Sequence, residues 1–192
     1  GNNYAGISDS TTLSFTTVDQ TGPTLSSSVP ADNAVDIALN ANIVLTFDEN
    51  VTAVSGKNIT IKKTSDDSAV ATIDATDGQV SINNTVVTIN PSSDLADTTE
   101  FYVLIDPGAF KDAAGNEYAG ISSKTALSFT TVDQTDPTLL SSVPADGDSG
   151  VALDANIVLN FSEPVDVESG NITIKKTSDD STVETINVTS AK

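Results

Sequence analysis

Apolar residues in this chain recur at every second position over short stretches. Ile43, Leu45 and Phe47 share one face of the segment ANIVLTF, and Ile59 and Ile61 do the same in NITIKK. This period of two matches the alternating faces of a β-strand, whereas a helix would repeat roughly every 3.6 residues. Thr and Ser fill many of the intervening positions, where hydroxyl side chains suit a solvated sheet face. The pattern therefore predicts short, half-buried strands.

A pair of asparagines, Asn83 and Asn84, separates two alternating stretches within residues 79–90. Asn tolerates the positive φ that a tight turn demands, so this segment predicts a β-hairpin. Residues 91–99, PSSDLADTT, predict the single helical turn of the repeat. From that turn we expect Leu95 to cover one open end of the core.

The sequence also repeats itself with a long period. Residues 1–19 return at 115–133, identical at 15 of 19 positions and offset by 115 − 1 = 114 residues. Residues 23–47 return at the same offset, as 137–161. A repeat of this length is a whole domain, because solenoid units span only roughly 20–50 residues.

The repeat divides the chain into three parts. Residues 20–133 make one complete repeat, residues 1–19 match only the end of a preceding one, and residues 134–192 match 20–79 of a following one. We interpret the chain as a window on a longer array, with one complete domain between two partial ones.

Roughly seven to nine short strands in each repeat predict an all-β, antiparallel β-sandwich, in which alternate residues of two sheets face each other. The residues that we expect in its core are Phe47, Ile59, Ile61, Val87, Ile89, Tyr102, Leu104 and Phe129.

Composition and charge limit which partners, metal ligands and catalytic groups the chain can have. Lys and Arg total 8 and Asp and Glu total 27, for a net charge of −19. Such a surface repels nucleic acid and anionic membranes and attracts cations. No apolar run approaches the roughly 20 residues that span a bilayer, so no membrane insertion is expected. Cys and His are absent, which excludes disulfides, thiolate or imidazole metal ligands and Cys–His catalytic pairs.

Catalysis is not expected within this chain. Aromatic residues make up only 5% of it and fall at predicted core positions, so nothing supplies the aromatic platform of a glycosidase site. No phosphate-binding glycine loop occurs either.

Several motifs together resemble the SbsA-type bacterial Ig-like domain. They are P-x-L-x-S-x-x-P-A-D, A-N-I-V-L-x-F, N-I-T-I, F-Y-V-L, K-D-x-x-G-N and L-S-F-T-T, in this order. The resemblance covers the whole chain, although Asn50 stands where the later copy has Pro164 in FSEPV. It implies a tandem Ig-like β-sandwich in S-layer proteins and other long surface or secreted proteins, and it implies no reaction.

The expected function is therefore that of a non-catalytic stalk, scaffold, lattice or fibre outside the cell or at the cell surface. Its expected partners are neighbouring Ig-like repeats of the same or other chains. The alternative is an adhesion module that recognises a glycan or a surface protein through its end loops. Near-identical repeats favour the structural role, because a binding surface tends to diversify between copies.

Acidic residues concentrate at predicted strand ends. In an Ig-like sandwich the chain arrives at the end that carries the B–C and F–G loops. Asp48 and Glu49 open the predicted B–C loop, Asp112 and Asn116 lie in the predicted F–G loop, and Asp19 arrives from the preceding repeat. Oxygen ligands from three segments suit Ca²⁺, which takes roughly six to eight of them. The sequence therefore predicts a Ca²⁺ site at this junction.

The equivalent site at the next junction would use Asp133, Asp136 and Glu163. The competing interpretation is ordinary turn chemistry, in which Asp112 caps a type I turn ahead of Gly115, and Asp19 and Asp133 accept local backbone hydrogen bonds. The sequence leaves both interpretations open.

Overall fold

The structure is a computed structural model that describes residues 1–190, and no α-helix occurs among them. The chain divides into two compact units, Gly1–Gln134 (unit 1) and Thr135–Lys192 (unit 2). Within the described residues no helix has the length and apolar character that crossing a bilayer requires.

The strands of unit 1 are β1 (Leu25–Val29), β2 (Ala34–Ile37), β3 (Ile43–Phe47), β4 (Thr52–Ala53), β5 (Asn58–Lys63), β6 (Ala69–Asp74), β7 (Val80–Asn83), β8 (Val86–Ile89), β9 (Glu100–Ile105), β10 (Phe110–Lys111) and β11 (Ser128–Thr131). Those of unit 2 are β12 (Leu139–Val143), β13 (Val158–Phe161), β14 (Asn171–Lys175) and β15 (Thr182–Asn187).

Unit 1 is a two-sheet sandwich. One sheet has the strand order β1-β3-β8-β7 and is antiparallel throughout. The other has the order β2-β11-β9-β5-β6, in which the edge strand β2 runs parallel to β11 and the remaining pairs are antiparallel. The short strands β4 and β10 pair with each other in the loops at one end. The all-β, Ig-like sandwich predicted from the sequence is confirmed.

The core lies between the two sheets and follows the predicted alternation in three strands. In β3 every second residue is buried, and the same holds for β8 and for the first four residues of β5. Two pairs of aromatic rings pack within the core. The ring centroids of Phe101 and Phe129 lie 6.0 Å apart, and those of Phe47 and Tyr118 lie 5.1 Å apart in an edge-to-face arrangement. Predicted core residues that are buried there are Phe47, Ile59, Ile61, Val87, Ile89 and Phe129.

Strand β9 reverses the predicted alternation. Phe101, Val103 and Ile105 belong to the core, whereas Tyr102 and Leu104 do not. The stretch FYVLI is apolar at every position, so periodicity alone could not choose the face. Tyr102 is nevertheless buried, and its hydroxyl donates a hydrogen bond to Asp67 Oδ1 at 2.8 Å.

The connections between strands confirm one prediction and correct another. Strands β7 and β8 form the predicted hairpin, with Asn84 at φ 56° in its turn. The helical turn predicted for 91–99 was wrong, because this segment forms only bends and turns. Leu95 is buried in the core as expected, and its N–H donates to the Leu39 carbonyl at 2.8 Å.

Unit 2 repeats the local pairing of unit 1. Strand β12 pairs with β13 and β14 pairs with β15, both antiparallel. Leu139 faces Phe161 as Leu25 faces Phe47, so the repeated sequence keeps its register. Residues 1–19 form no strand and are exposed throughout.

Phe47 and Phe15 provide a matched test of the core assignment. Phe47 is 2% exposed and Phe15 is 86% exposed. Phe47→Ala should lower the free energy of unfolding by about 3–5 kcal/mol, because it leaves a large cavity between the sheets. Phe15→Ala should change it by less than about 0.5 kcal/mol. Urea denaturation of both variants measures the difference, and equal effects would contradict the assigned core.

Candidate functional site

Three carboxylates from three segments meet where the chain enters the sandwich of unit 1. Asp19 precedes β1, Glu49 follows β3, and Asp112 follows β10. Each offers one carboxylate oxygen, and these oxygens lie within 4.8 Å of one another. Asp112 is only 3% exposed, Glu49 is half-buried and Asp19 is exposed. We call these three residues the carboxylate cluster.

Asn116 closes the loop that holds Asp112. Its backbone N–H donates to Asp112 Oδ1 at 2.7 Å, and its side-chain amide donates to Asp112 Oδ2 at 2.8 Å. The Asp112 N–H donates in turn to the Asn116 carbonyl at 3.0 Å, while Gly115 takes the positive φ of 95° that the turn needs. The predicted turn-capping role of Asp112 is therefore present. Each carboxylate oxygen keeps a second acceptor position, so this role does not exclude a cation.

The pKa values of Asp112 and Glu49 are shifted in opposite directions. Burial raises the pKa of Asp112, but the two hydrogen bonds from Asn116, with a contribution from the backbone N–H groups of Gly115 and Ala114, outweigh it, so the pKa lies below its ordinary value. The pKa of Glu49 is raised, first by burial and then by the negative charges of Asp112, Asp19 and Asp48. The cluster thus concentrates negative charge that a bound cation would offset.

The segment that carries Asp19 docks against the F–G loop. The Asn116 side-chain amide donates to the Asp19 carbonyl at 3.3 Å, and Asp19 Oδ1 accepts from the Thr21 N–H at 3.0 Å. Gly22 lies so close to this loop that an added Cβ would sit 2.4 Å from the Glu117 carbonyl oxygen. Sequence reasoning missed Gly22. The available signal was that the second copy has Asp136 at the matching position, 136 − 22 = 114 residues later.

Asp48 lies outside the carboxylate cluster, although the sequence grouped it with the ligands. Its two oxygens accept hydrogen bonds from the Thr24 N–H and hydroxyl, both at 2.7 Å. These bonds hold the pKa of Asp48 below its usual range and tie the start of β1 to the end of β3. In the second copy Ser162 replaces Asp48, and its Oγ accepts from the Thr138 N–H at 2.9 Å. The geometry thus assigns Asp48 a structural bond to Thr24.

The residues of the second predicted site belong to different units. Asp133 lies in unit 1 and is exposed, whereas Asp136 is exposed and Glu163 half-buried in unit 2. A Ca²⁺ site formed by these three residues stays a prediction.

Gly22→Ala tests the docking of the entering segment. The new Cβ would collide with backbone, so the segment must shift, at a cost of about 1–3 kcal/mol in the free energy of unfolding. Gly78→Ala is the matched control, because an added Cβ at Gly78 meets nothing within 4 Å. Denaturation curves measure stability. Nuclear magnetic resonance signals of the Asn116 side-chain amide, which donates to the Asp19 carbonyl, measure docking. Equal behaviour of the two variants would contradict the close contact.

Comparisons with known proteins give a family match and similar solved structures. The sequence model of the family described as "Bacterial Ig-like domain" matches residues 19–131 and 133–192. Among solved structures the chain is similar to the S-layer protein rSbsC(31-844), with 16% identity and a TM-score of 0.38 over 83% of this chain and 21% of that one. It is also similar to the N-terminal part of the bacterial S-layer protein SbsC, with 16% identity and a TM-score of 0.39 over 87% and 38% of the two chains.

The chain thus spans well under half the length of either solved structure. No curated protein matches it at a significant level. The family match extends over nearly the whole chain, in two consecutive copies. The chain therefore belongs to the bacterial Ig-like domain family.

Proposed function

We propose that this chain is a non-catalytic structural segment of a tandem Ig-like array at the bacterial cell surface, stiffened by Ca²⁺ where one repeat enters the next. The repetition of the sequence carries this proposal: residues 1–19 and 115–133 agree at 15 of 19 positions. A scaffold needs the same fold and the same junction in each repeat. Near-identity between successive copies is what that role requires.

The surface of the complete sandwich favours a scaffold over an adhesion module. All six aromatic residues within 20–133 are buried, so none is available to stack against a sugar ring. Three concavities of unit 1 measure 70, 220 and 250 Å³, below the roughly 300–1,000 Å³ of ordinary ligand pockets. Recognition of a glycan or surface protein through the end loops stays the alternative prediction.

The geometry of the carboxylate cluster supports a cation at the junction. Ligand oxygens lie about 2.3–2.6 Å from Ca²⁺, so two oxygens on opposite sides of one ion are about 5 Å apart. The three oxygens of Asp19, Glu49 and Asp112 lie within 4.8 Å of one another, which one ion can bridge. The Asp19 carbonyl and water would complete the coordination.

Such an ion would join the entering segment to both loops. Asp19 belongs to the segment that links successive repeats, whereas Glu49 and Asp112 belong to the sandwich. Without a cation, repulsion between the carboxylates opposes the approach of Asp19 to Glu49 and Asp112. Hydrogen bonds such as that from Asn116 to the Asp19 carbonyl then hold the entering segment in place. With the ion, the same carboxylates would fix the angle at which the repeats follow one another.

Removal of Ca²⁺ should destabilise the sandwich. An ion that binds only the folded state contributes roughly 2.7 kcal/mol at a hundredfold excess over its dissociation constant. Thermal unfolding in Ca²⁺ and in EDTA should therefore give a lower melting temperature in EDTA. Asp112→Asn should remove most of that difference, whereas Asp94→Asn, at an exposed site outside the cluster, should keep it. A melting temperature that EDTA leaves unchanged would overturn the cation and leave only turn capping.

Glu49→Gln should shift the melting temperature in opposite directions with and without Ca²⁺. Because the folded-state pKa of Glu49 is raised, its ionised form destabilises the fold as the pH rises above the ordinary value of 4.5. In EDTA at pH 7 the variant should therefore melt at a higher temperature than the parent chain. Below pH 4 that advantage should vanish, since both side chains are then neutral.

In saturating Ca²⁺ the Glu49→Gln variant should melt at a lower temperature than the parent chain, because one charged ligand is missing. Thermal scans across pH in both buffers make the comparison. If the variant is less stable in EDTA at pH 7, Glu49 is not under the charge repulsion that its surroundings indicate.

The location of the array can be tested on intact cells that produce it. An antibody raised against this chain should label them without permeabilisation, and external protease should release fragments that the antibody detects. Labelling that requires permeabilised cells would contradict a role at the surface.

A further inference from the structure

Two peptide bonds of the chain join an aspartate to a proline, the Asp106–Pro107 bond and the Asp136–Pro137 bond. In such a bond the aspartate carboxylate can reach the backbone carbonyl carbon of its own residue by closing a five-membered ring. A nucleophile held next to its target reacts far faster than one that must arrive from solution. The leaving nitrogen belongs to proline, whose tertiary amide carries no N–H. Both bonds are therefore candidates for self-cleavage in acid, which supplies the proton that the departing nitrogen needs.

The Asp136–Pro137 bond is open to solvent. Both residues are exposed, and they belong to residues 132–138, which form no strand, turn or bend ahead of β12. An exposed side chain outside regular structure can rotate onto its own carbonyl, and solvent reaches the bond. The geometry that the attack requires is therefore accessible at this position.

The Asp106–Pro107 bond is protected by the fold of unit 1. The half-buried Asp106 carboxylate accepts a hydrogen bond from the Asn58 N–H at 2.8 Å, which engages it with strand β5. The backbone of Gly120 packs against the bond itself. A Cβ added at Gly120 would lie 2.8 Å from the Pro107 nitrogen and 3.0 Å from the Asp106 carbonyl carbon. A carbonyl carbon that becomes tetrahedral needs more room than this close packing leaves, so the fold opposes the attack.

The first copy of the repeat has no equivalent nucleophile. Gly22 stands where the second copy has Asp136, at an offset of 136 − 22 = 114 residues, and it precedes Pro23 in the same way. Glycine has no side chain with which to attack the bond. Of these three bonds to proline, the one after Asp136 therefore combines a carboxylate with access to solvent.

We propose that the chain cleaves itself in acid at the bond between Asp136 and Pro137. A carboxylate oxygen of Asp136 attacks the carbonyl carbon of the same residue and forms a C–O bond, while acid protonates the Pro137 nitrogen. The C–N bond then breaks, and its electron pair stays on the nitrogen, which leaves as a secondary amine. Water opens the resulting cyclic anhydride, so the net reaction is a hydrolysis that consumes water and involves no oxidation.

Cleavage at this bond would divide one repeat from the next. The fragment that ends at Asp136 keeps strands β1 to β11, and the fragment that begins at Pro137 keeps β12 to β15. A repeat with aspartate at this position would therefore be released in acid, whereas a repeat with glycine there would stay attached. The reaction requires neither the proposed cation nor a location at the cell surface.

The test incubates the whole chain in acid with EDTA, at the lowest pH at which circular dichroism still shows unit 1 folded. Mass spectrometry should find two fragments, one that ends at Asp136 and one that begins at Pro137. Cleavage there should be at least roughly tenfold faster than at the Asp106–Pro107 bond, because the fold keeps the Asp106 carboxylate from its target. Absence of cleavage, or equal cleavage of both bonds in the folded chain, would overturn the proposal.

Two variants identify the nucleophile. Asp136→Gly gives this position the residue of the first copy and should slow cleavage by roughly a hundredfold or more, since the attack within the residue is lost. Asp133→Asn removes a charge from the same exposed segment without altering the bond, so the rate should stay unchanged. Equal rates for the two variants would contradict the role of the Asp136 carboxylate.

Cleavage in heavy-oxygen water distinguishes ring formation from direct attack by water. Water that opens the anhydride can enter at either carbonyl, so the Asp136 side-chain carboxyl should carry label above the level of the other aspartates. Label confined to the new α-carboxyl would overturn the intramolecular step.

Denaturant tests the protection of the second bond. When unit 1 is unfolded in acid, the Asp106–Pro107 bond should break about as fast as the Asp136–Pro137 bond, because its protection comes from the fold. Continued resistance in denaturant would overturn the assignment of that protection to Asn58 and Gly120.

Discussion

The rest of the structure depends on the packing of two apolar sheet faces against each other. In unit 1 the side chains of β3 and β8 pack against those of β5 and β9, and this contact buries residues such as Leu45 and Ile61 completely. The same strand patterns recur in unit 2, where their apolar face is open. Alternation of apolar residues therefore specifies strands and their register locally, whereas burial requires the second half of the sandwich. The hydrophobic effect acts on the pair of sheets and not on either alone.

At the junction, hydrogen bonds that hold the segments together compete with repulsion between carboxylates. Asn116 draws Asp112 and the Asp19 carbonyl together through hydrogen bonds. Burial, and then the charges of Asp112 and Asp19, meanwhile raise the pKa of Glu49, which means that its ionisation is opposed. A divalent cation held by the three carboxylates, as proposed above, would offset this repulsion.

Two of the differences between the copies lie where the linking segment meets the sandwich. Gly22 becomes Asp136, and Asp48 becomes Ser162, although both Asp48 and Ser162 accept a hydrogen bond from the N–H of the matching Thr. The register of the strands is kept in both copies. Changes in polar junction residues alter how closely a linking segment docks. Changes in the alternating apolar residues would disrupt the fold itself, so the sequence varies where the fold tolerates it.

The sequence by itself determined the strands whose apolar and polar residues alternate, the hairpin around Asn84 and the all-β sandwich, because a period of two has one structural meaning. It also placed Asp19, Glu49 and Asp112 at one end of the sandwich, since topology fixes which loops meet there. Only the tertiary structure decided the face of β9, where every residue of FYVLI is apolar and the opposing sheet selects Phe101 over Tyr102. Only the tertiary structure could direct Asp48 to Thr24, because that bond depends on which donors a neighbouring strand brings within 2.7 Å.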